Sequence, residues 1–269
     1  MAKRFDIRDK FWLARGAANP VLALFKPGDD GFLRDPQSSP MFSDAAASTP
    51  AVVDGPVRWF NDLFADRHVS AASDAARPTL RDAGGLKYIE FDGLTHLLRG
   101  LNSTLVLGAE HTEVMCFSTG AKVNAFFGGL SATSQTEDYA HFHNNVTGGS
   151  VGIVRGYTRF FTDGVARNNT GYATGVDPAT PTVFTRTHTA SPGDLSFQVN
   201  GGVALTVASN WLSSTATAAD TTLIGGPRLA NTLPNSRLHY HFYINRKLNA
   251  AELDVVQNEA RIAGGIAAW

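Results

Sequence analysis

Cysteine is almost absent from this chain, since Cys116 is the only one. A single thiol cannot form an internal disulfide, which excludes the disulfide framework of small secreted domains. The cysteine lies in the apolar run 114–117 (Val-Met-Cys-Phe). This setting predicts a small buried side chain rather than a reactive thiol.

Charged residues are also scarce, at 17% of the sequence, and they nearly cancel to a net charge of −1. The chain has no block of basic residues, which argues against a surface that follows the phosphates of a nucleic acid. No apolar run approaches the roughly 18 residues of a membrane span. No apolar signal core follows Lys3 and Arg4. We therefore expect a protein made in the cytoplasm, without membrane insertion and without a nucleic-acid partner.

Short apolar segments dominate the sequence from residue 51 onwards. They recur at roughly 10-residue spacing, with clusters of Gly, Asn and Pro between them, as in an all-β sandwich. A hairpin turn is predicted at Asn200-Gly201-Gly202, where glycine tolerates a positive φ. The predicted strands are Leu105–Leu107, Val114–Phe117, Ala125–Phe127, Ser150–Val154, Thr158–Phe161, Val183–His188, Leu195–Val199 and Thr222–Ile224.

One helix is predicted near the end of the chain, at about 250–263. Asn249 can cap its N-terminus, and Glu252 three residues later completes a capping box. Gly264-Gly265 ends the helix. An apolar stripe predicts the side that packs on the sandwich, and it contains Leu253, Val256, Ala260 and Ile262. We expect Trp269 to pack back on the sandwich.

Two distant segments share a pattern with a known fold. The first is 77–80 (Arg-Pro-Thr-Leu) with 85–93, in which Tyr88 and Glu90 alternate with Ile89 and Phe91 before an Asp-Gly turn. The second is 238–252, a strand, a short turn and the capped helix. Together they resemble the concanavalin A-like lectin/glucanase sandwich, in its LamG-like branch. The resemblance implies a two-sheet antiparallel jelly roll over residues 51–269, in a fold that binds surfaces and sugars more often than it catalyses.

Residues 1–50 differ from the rest and are predicted to form an N-terminal attachment or packing segment. An apolar strand, the motif Gly31-Phe32-Leu33-Arg34-Asp35-Pro36 and then Met41-Phe42-Ser43-Asp44 follow one another. This order resembles the start of phage tail and structural proteins. It implies a virion structural protein of a tail, fibre or head decoration, assembled in the host cytoplasm, with other virion proteins and copies of itself as partners. Proline and glycine interrupt this segment often, yet it contains many large apolar residues, namely Phe11, Trp12, Leu22, Leu24 and Phe25. Such apolar side chains predict contacts with other chains.

Catalysis is not expected. The enzymes of the resembled superfamily are glycoside hydrolases, with carboxylates on one strand as Glu-x-Asp-x-Glu, and alternation places these in the cleft. Here Glu90-Phe91-Asp92 is the Glu-x-Asp at the end of a predicted strand, and the second glutamate is absent. We therefore interpret Asp92 as a turn former.

Two histidine pairs raise the question of a metal. His141 and His143, like His239 and His241, have spacing two, so that in a strand both rings of a pair face the same way. Two such pairs can ligate zinc or another transition metal. Loop oxygens at Glu137, Asp138, Asn144 and Asn145 offer a calcium alternative. We favour polar strand faces for the histidines, because no carboxylate or cysteine is adjacent in sequence, and expect no cofactor and no metal.

Sugar binding requires an aromatic platform for the ring and amides or carboxylates for its hydroxyls. Polar aromatic residues are densest at 139–145, which predicts a ligand-binding site on a loop formed by Tyr139, His141, His143, Asn144 and Asn145. Further loop candidates are Tyr157, Tyr172 and Trp211. The resulting hypothesis is a virion protein that contacts a host-surface glycan or polysaccharide. Its alternatives are a structural particle subunit without a ligand and, less favoured, a glycan-cleaving enzyme.

Overall fold

The structure is a computed structural model, and it describes residues 19–65, 67–100, 105–107, 110–118, 125–131, 139–145, 153–162, 165–173, 180–189, 194–208, 217–219, 221–224 and 236–269. The regular structure of the described part is mainly β-strand, with one α-helix, α1 (Ala250–Ala263). Single turns of 3-10 helix occur at Leu22–Leu24 and Asp74–Ala76. No helix of the described part is long and apolar enough to cross a membrane.

In chain order the strands are β1 (Gly31–Arg34), β2 (Met41–Phe42), β3 (Trp59–Phe60), β4 (Val69–Ser70), β5 (Thr79–Ala83), β6 (Leu86–Phe91), β7 (Leu98–Arg99), β8 (Leu105–Leu107), β9 (His111–Ser118), β10 (Ala125–Ser131), β11 (Tyr139–Asn145), β12 (Ile153–Thr162), β13 (Val165–Ala173), β14 (Thr182–Thr189), β15 (Asp194–Val199), β16 (Leu205–Ala208), β17 (Thr217–Ala219), β18 (Thr221–Ile224) and β19 (Ser236–Ile244).

Two antiparallel sheets form the sandwich. The first has eight strands in the order β16-β15-β14-β9-β19-β6-β5, with β1 also paired to β19. The second has nine strands in the order β13-β12-β11-β10-β18-β7-β4-β3-β2, and β17 pairs with β8 separately. This arrangement confirms the predicted two-sheet antiparallel jelly roll with a short C-terminal helix.

An apolar core lies between the two sheets. The first sheet contributes Ile89, Phe91, Met115, Phe117 and Phe184, and the second contributes Met41, Phe60, Val69 and Leu98. Alternate residues of β9 belong to a second apolar cluster that α1 covers. Because both of its faces are covered, every residue of β9 is buried, the polar His111, Thr112 and Glu113 included. Cys116 is one of these residues and is fully buried, as predicted.

Helix α1 begins as the sequence predicts. The Asn249 side chain accepts a hydrogen bond from the Glu252 backbone N–H, and the Glu252 side chain accepts one from the Asn249 N–H, which completes the capping box. Val256 and Ala260 are fully buried against the second cluster. Complete burial of a valine contributes about 2 kcal/mol. Ile262 does not belong to the buried stripe, since 48% of it is exposed.

The described part of the N-terminal segment, 19–50, packs on the sandwich. Strand β1 pairs with β19, with Phe32 opposite Tyr243 and Arg34 opposite His241. The apolar residues Leu22, Leu24 and Phe25 pack against the second cluster. Because these three side chains pack within the same chain, they do not support the predicted contacts with other chains. Phe11 and Trp12 lie outside the described residues, and the domain boundary at residue 50 stays a prediction.

Candidate functional site

Tyr139, His141, His143, Asn144 and Asn145 all lie on strand β11. The strand pairs with β10 on one side and with β12 on the other, as the third strand from one edge of the nine-stranded sheet. His141 lies opposite Gly129 and Tyr157, and His143 lies opposite Phe126 and Arg155. The structure describes the backbone of β11, so the binding role of these side chains stays a prediction.

The loop placement predicted for these residues as sugar-binding candidates is wrong, whereas the strand position favoured for His141 and His143 is confirmed. Their sequence is rich in Asn and His, which are not strong strand formers, but pairing with two long neighbours outweighs local propensity. Tyr157 and Tyr172 also lie on strands, β12 and β13, rather than on loops. Trp211 lies outside the described residues, as do Glu137 and Asp138 of the calcium alternative.

The carboxylates of the Glu-x-Asp pair are engaged in structural contacts. Glu90 accepts a hydrogen bond from Arg81 at 2.8 Å, and its other oxygen lies 3.4 Å from Arg237. Asp92 accepts backbone hydrogen bonds from residues 94, 95 and 96 at 2.8–2.9 Å and one from the Thr95 hydroxyl at 2.7 Å. These bonds hold the pKa of Asp92 at about 2, despite an opposing effect of partial burial. Asp92 is thus the turn former that the sequence predicts.

The second histidine pair does not share one environment. A register shift occurs in β19 between Leu238 and Tyr240, where alternation is interrupted. His239 contacts the ring of Tyr88 at 5.3 Å between centroids, whereas His241 Nε2 lies 2.8 Å from Glu113 Oε1. Burial, with a smaller contribution from the Arg237 charge, lowers the pKa of His239 to about 4. The prediction that both rings face the same way is therefore wrong for this pair.

Glu113 is the centre of a buried polar cluster, which we define as Arg34, Glu113, Arg186 and His241. All four side chains have 0% exposure. The Glu113 carboxylate accepts a hydrogen bond from Arg186 through one oxygen and bonds His241 through the other. An ionised carboxylate only accepts, so His241 carries its proton on Nε2. Burial lowers the pKa of His241, although the bond to Glu113 opposes the shift.

Arg34 belongs to the same cluster through an aromatic ring. Its guanidinium lies 3.8 Å from the centroid of Phe32, which meets His241 edge-on at 4.7 Å. Nη2 of Arg34 donates to the carbonyl of Arg67 at 3.1 Å, while Nε and Nη1 have no hydrogen-bond partner among the described residues. Burial lowers the pKa of Arg34 to about 10, against the attraction of Asp62.

The buried polar cluster is suited to structure rather than to chemistry. Its side chains are sealed from solvent, so a dissolved substrate does not reach the carboxylate. The hydrogen bonds of Glu113 to Arg186 and His241 join β9, β14 and β19, the three neighbouring strands at the centre of the first sheet. The contacts among these four residues are not visible in the sequence, because the residues lie up to 207 positions apart, from Arg34 to His241. Within the described residues no group of three or more His, Cys, Asp or Glu is arranged to hold a metal ion.

Comparison with known proteins identifies similar folds. No protein-family model matches the sequence, and neither does any curated protein. An arabinofuranosidase complexed with arabinofuranosyl-alpha-1,2-xylobiose is similar in structure at 10% identity, over 88% of this chain and 62% of that chain, with a TM-score of 0.57. Domain 4 of AbnA, a GH43 extracellular arabinanase from Geobacillus stearothermophilus in complex with arabinotriose, has 9% identity over 73% of this chain and 92% of that chain, with a TM-score of 0.54.

A binding protein is among the similar structures as well. The binding domain of Paraclostridial Mosquitocidal Protein 1 has 12% identity over 74% of this chain and 49% of that chain, with a TM-score of 0.53. This chain thus spans about half the length of the first structures that it matches. At such low identity the likenesses show the fold alone, a β-sandwich that agrees with the concanavalin A-like resemblance.

Proposed function

We propose that this chain is a non-catalytic carbohydrate-binding subunit of a phage or phage-like virion, in a tail, a fibre or a head decoration. It acts in the assembled particle and contacts other virion proteins, copies of itself and a host-surface glycan. The observation that carries the proposal is a jelly roll in which both carboxylates of the Glu90-Phe91-Asp92 motif are engaged in structural contacts.

The contacts of Glu90 and Asp92 support binding without cleavage. A retaining glycosidase needs two carboxyl groups about 5–5.5 Å apart, one of which is free to give and take a proton. Glu90 is shared between Arg81 and Arg237, and Asp92 is saturated by four hydrogen bonds from its own turn. A carboxyl group with a pKa near 2 does not hold a proton at neutral pH, so Asp92 cannot act as the general acid.

Glycan binding is supported by the fold and by strand β11. The similar structures include domains whose names record arabinotriose, N-acetylneuraminic acid and gangliosides. Strand β11 places Tyr139, His141, His143 and Asn145 at alternate positions between two paired neighbours. Stacking and a few hydrogen bonds correspond to a Kd on the order of millimolar, about −4 kcal/mol. Firm attachment then depends on many copies in one particle.

The virion setting is supported by the order of motifs in residues 19–50. The glycine that opens β1 is followed by the Asp-Pro and Met-Phe-Ser-Asp elements, as in phage tail and structural proteins. Asp35 and Asp44 each accept hydrogen bonds that close a local turn. The motif residues therefore have definite structural tasks in this chain.

The proposal is tested on whole particles. Particles purified from the source strain should contain the chain by mass spectrometry, and Tyr139→Ala with His143→Ala should reduce their adsorption to host cells. Particles that lack the chain would contradict the virion setting. Unchanged adsorption by variant particles of normal composition would contradict the β11 site and favour the structural subunit without a ligand. Release of reducing sugar from host polysaccharide, lost in Glu90→Gln, would show an enzyme instead.

A further inference from the structure

A concave site of about 320 Å³ lies where α1 meets the C-terminal tail. Asp254, Gln257, Asn258 and Arg261 line it from one side of the helix, and Ala268 and Trp269 line it from the tail. Helix positions three and four apart are neighbours on one face, so these four polar side chains form a continuous wall. The volume lies in the range of small-ligand sites.

Trp269 forms an exposed aromatic wall of this site. Half of the residue, 51%, is exposed. The remainder covers Gly201 in the turn between β15 and β16, where an added Cβ would overlap atoms of the five-membered ring of the indole. Gly201 has a φ of +67°, so a glycine is favoured there for its backbone as well. The tryptophan thus packs back on the sandwich, as the sequence predicts, but leaves a large apolar surface open to solvent.

Hydrogen bonds orient the polar wall. The amide nitrogen of Gln257 donates to Thr185 Oγ1 at 2.7 Å and to Gln198 Oε1 at 2.8 Å, which leaves its carbonyl oxygen as an acceptor. Asn258 Oδ1 accepts from Arg261 Nη2 at 2.8 Å, which leaves the NH₂ group of Asn258 as a donor. Arg261 also donates to the carbonyl of Ile266 at 2.6 Å, so a residue that lines the site joins the helix to the tail.

Asp254 adds a carboxylate to the polar side chains that line the site. It is exposed and makes no ion pair with Arg261 or with another described residue. The site therefore combines a half-exposed indole, an unpaired carboxylate acceptor and an amide donor. A sugar ring presents an apolar face to an indole and hydroxyls that both donate and accept. Asp254 and Arg261 balance in charge, and Asp254 is the more exposed, which disfavours an acidic sugar.

We propose that this site is a second glycan-binding site of the protein, specific for a neutral sugar, in which Trp269 stacks on the ring and Asp254 and Asn258 bind its hydroxyls. The proposal rests on the proposed function, since it assumes that the protein binds glycans. It adds a site remote in sequence from β11, formed by α1, the tail and the β15–β16 turn. Two sites per chain would raise the avidity of a particle without any increase in copy number.

The test uses the full chain and three soluble probes, maltotriose, the N-acetylglucosamine trimer and sialyllactose, with binding followed by saturation-transfer NMR and titration. We expect wild type to bind at least one neutral probe, and Trp269→Ala to lose about tenfold or more in affinity. Asp254→Asn should also weaken binding of the same probe. The Asp254 side chain is exposed, so we do not expect this substitution to affect folding. The matched control is Leu94→Ala, which removes another exposed apolar side chain, 67% exposed, from a distant turn.

The outcomes separate this site from the proposed function. Equal affinity of wild type, Trp269→Ala and Asp254→Asn for a probe that wild type binds would overturn the site and leave the proposed function in place. Preference for sialyllactose would overturn the assignment to a neutral sugar. Failure of wild type to bind any glycan, in solution or on an array of immobilised glycans, would overturn both.

Discussion

Removal of the charge of Glu113 should destabilise the protein more than any exposed substitution. Glu113→Gln keeps the shape of the side chain but leaves Arg186 without its carboxylate at a position with 0% exposure. Loss of one partner of a buried ion pair costs about 3–5 kcal/mol, because the remaining charge stays desolvated. His241 also loses an ionic acceptor at 2.8 Å. For a domain of this size, this loss corresponds to a fall of about 6–20 °C in Tm.

The measurement is urea unfolding followed by circular dichroism, with Glu110→Gln as the control. Glu110 lies three positions earlier and is exposed, so its substitution should change the free energy of unfolding by less than about 0.5 kcal/mol. The double variant Glu113→Leu with Arg186→Met should recover much of the loss, because it removes both charges at once. A loss below about 1 kcal/mol in Glu113→Gln would refute the claim that this pair holds β9 and β14 together.

Three further predictions concern pH, capping and the Trp269 contact. His239 has a pKa lowered to about 4, so its contribution to stability is complete above pH 6.5 and is lost as the pH falls to about 4, by roughly 3 kcal/mol. His239→Phe should flatten that part of the stability profile, and an unchanged profile would show that other groups cause the acid sensitivity. Asn249→Ala should lower the free energy of unfolding by about 1 kcal/mol and Asn249→Ser by much less, since serine also caps; equal losses would contradict the capping box. Gly201→Ala should cost about 1–2 kcal/mol for its positive φ and should shift tryptophan fluorescence to the red as the indole is displaced, whereas an unshifted spectrum would contradict the contact with Trp269.

Local patterns in the sequence predict the elements that depend on neighbours in the chain. The capping box of Asn249 and Glu252 forms as predicted. The hairpin turn forms as well, with Asn200 at a φ of +47° and Gly201 at +67°. The Asp92 turn is a third case, since one carboxylate accepts all its hydrogen bonds within four residues. Each of these depends on a few consecutive residues, which is why the sequence reveals them.

Features that depend on pairing at long range are not visible in the same way. The loop placement of the sugar-binding candidates at 139–145 fails, because the strand conformation of β11 depends on pairing with β10 and β12 rather than on its own composition. The two predicted strands Ser150–Val154 and Thr158–Phe161 correspond to one long strand, β12, over its described part. Val165–Ala173 was not predicted as a strand, since its Arg-Asn-Asn-Thr-Gly centre has low strand propensity.

The two candidate sites also differ in how far the sequence reveals them. The tyrosine and histidines of β11 were selected from the sequence for their chemistry alone, and the structure adds their pairing partners. The site beside Trp269 could not be recognised from the sequence, because it requires a glycine at 201 and a helix face at 254–261 to meet the tail. An alternation rule also fails at His239, where a register shift interrupts β19.

The central claim is tested most directly by a glycan-binding experiment. The purified full chain is coupled to a multivalent support and exposed to a glycan library, and the glycans recovered from the support are identified by mass spectrometry. We expect retention of a defined group of glycans that are recovered intact, because Glu90 and Asp92 are both engaged in structural contacts. Retention of no glycan at multivalent density, or recovery of shortened glycans, would contradict the claim that this jelly roll binds carbohydrate without cleaving it.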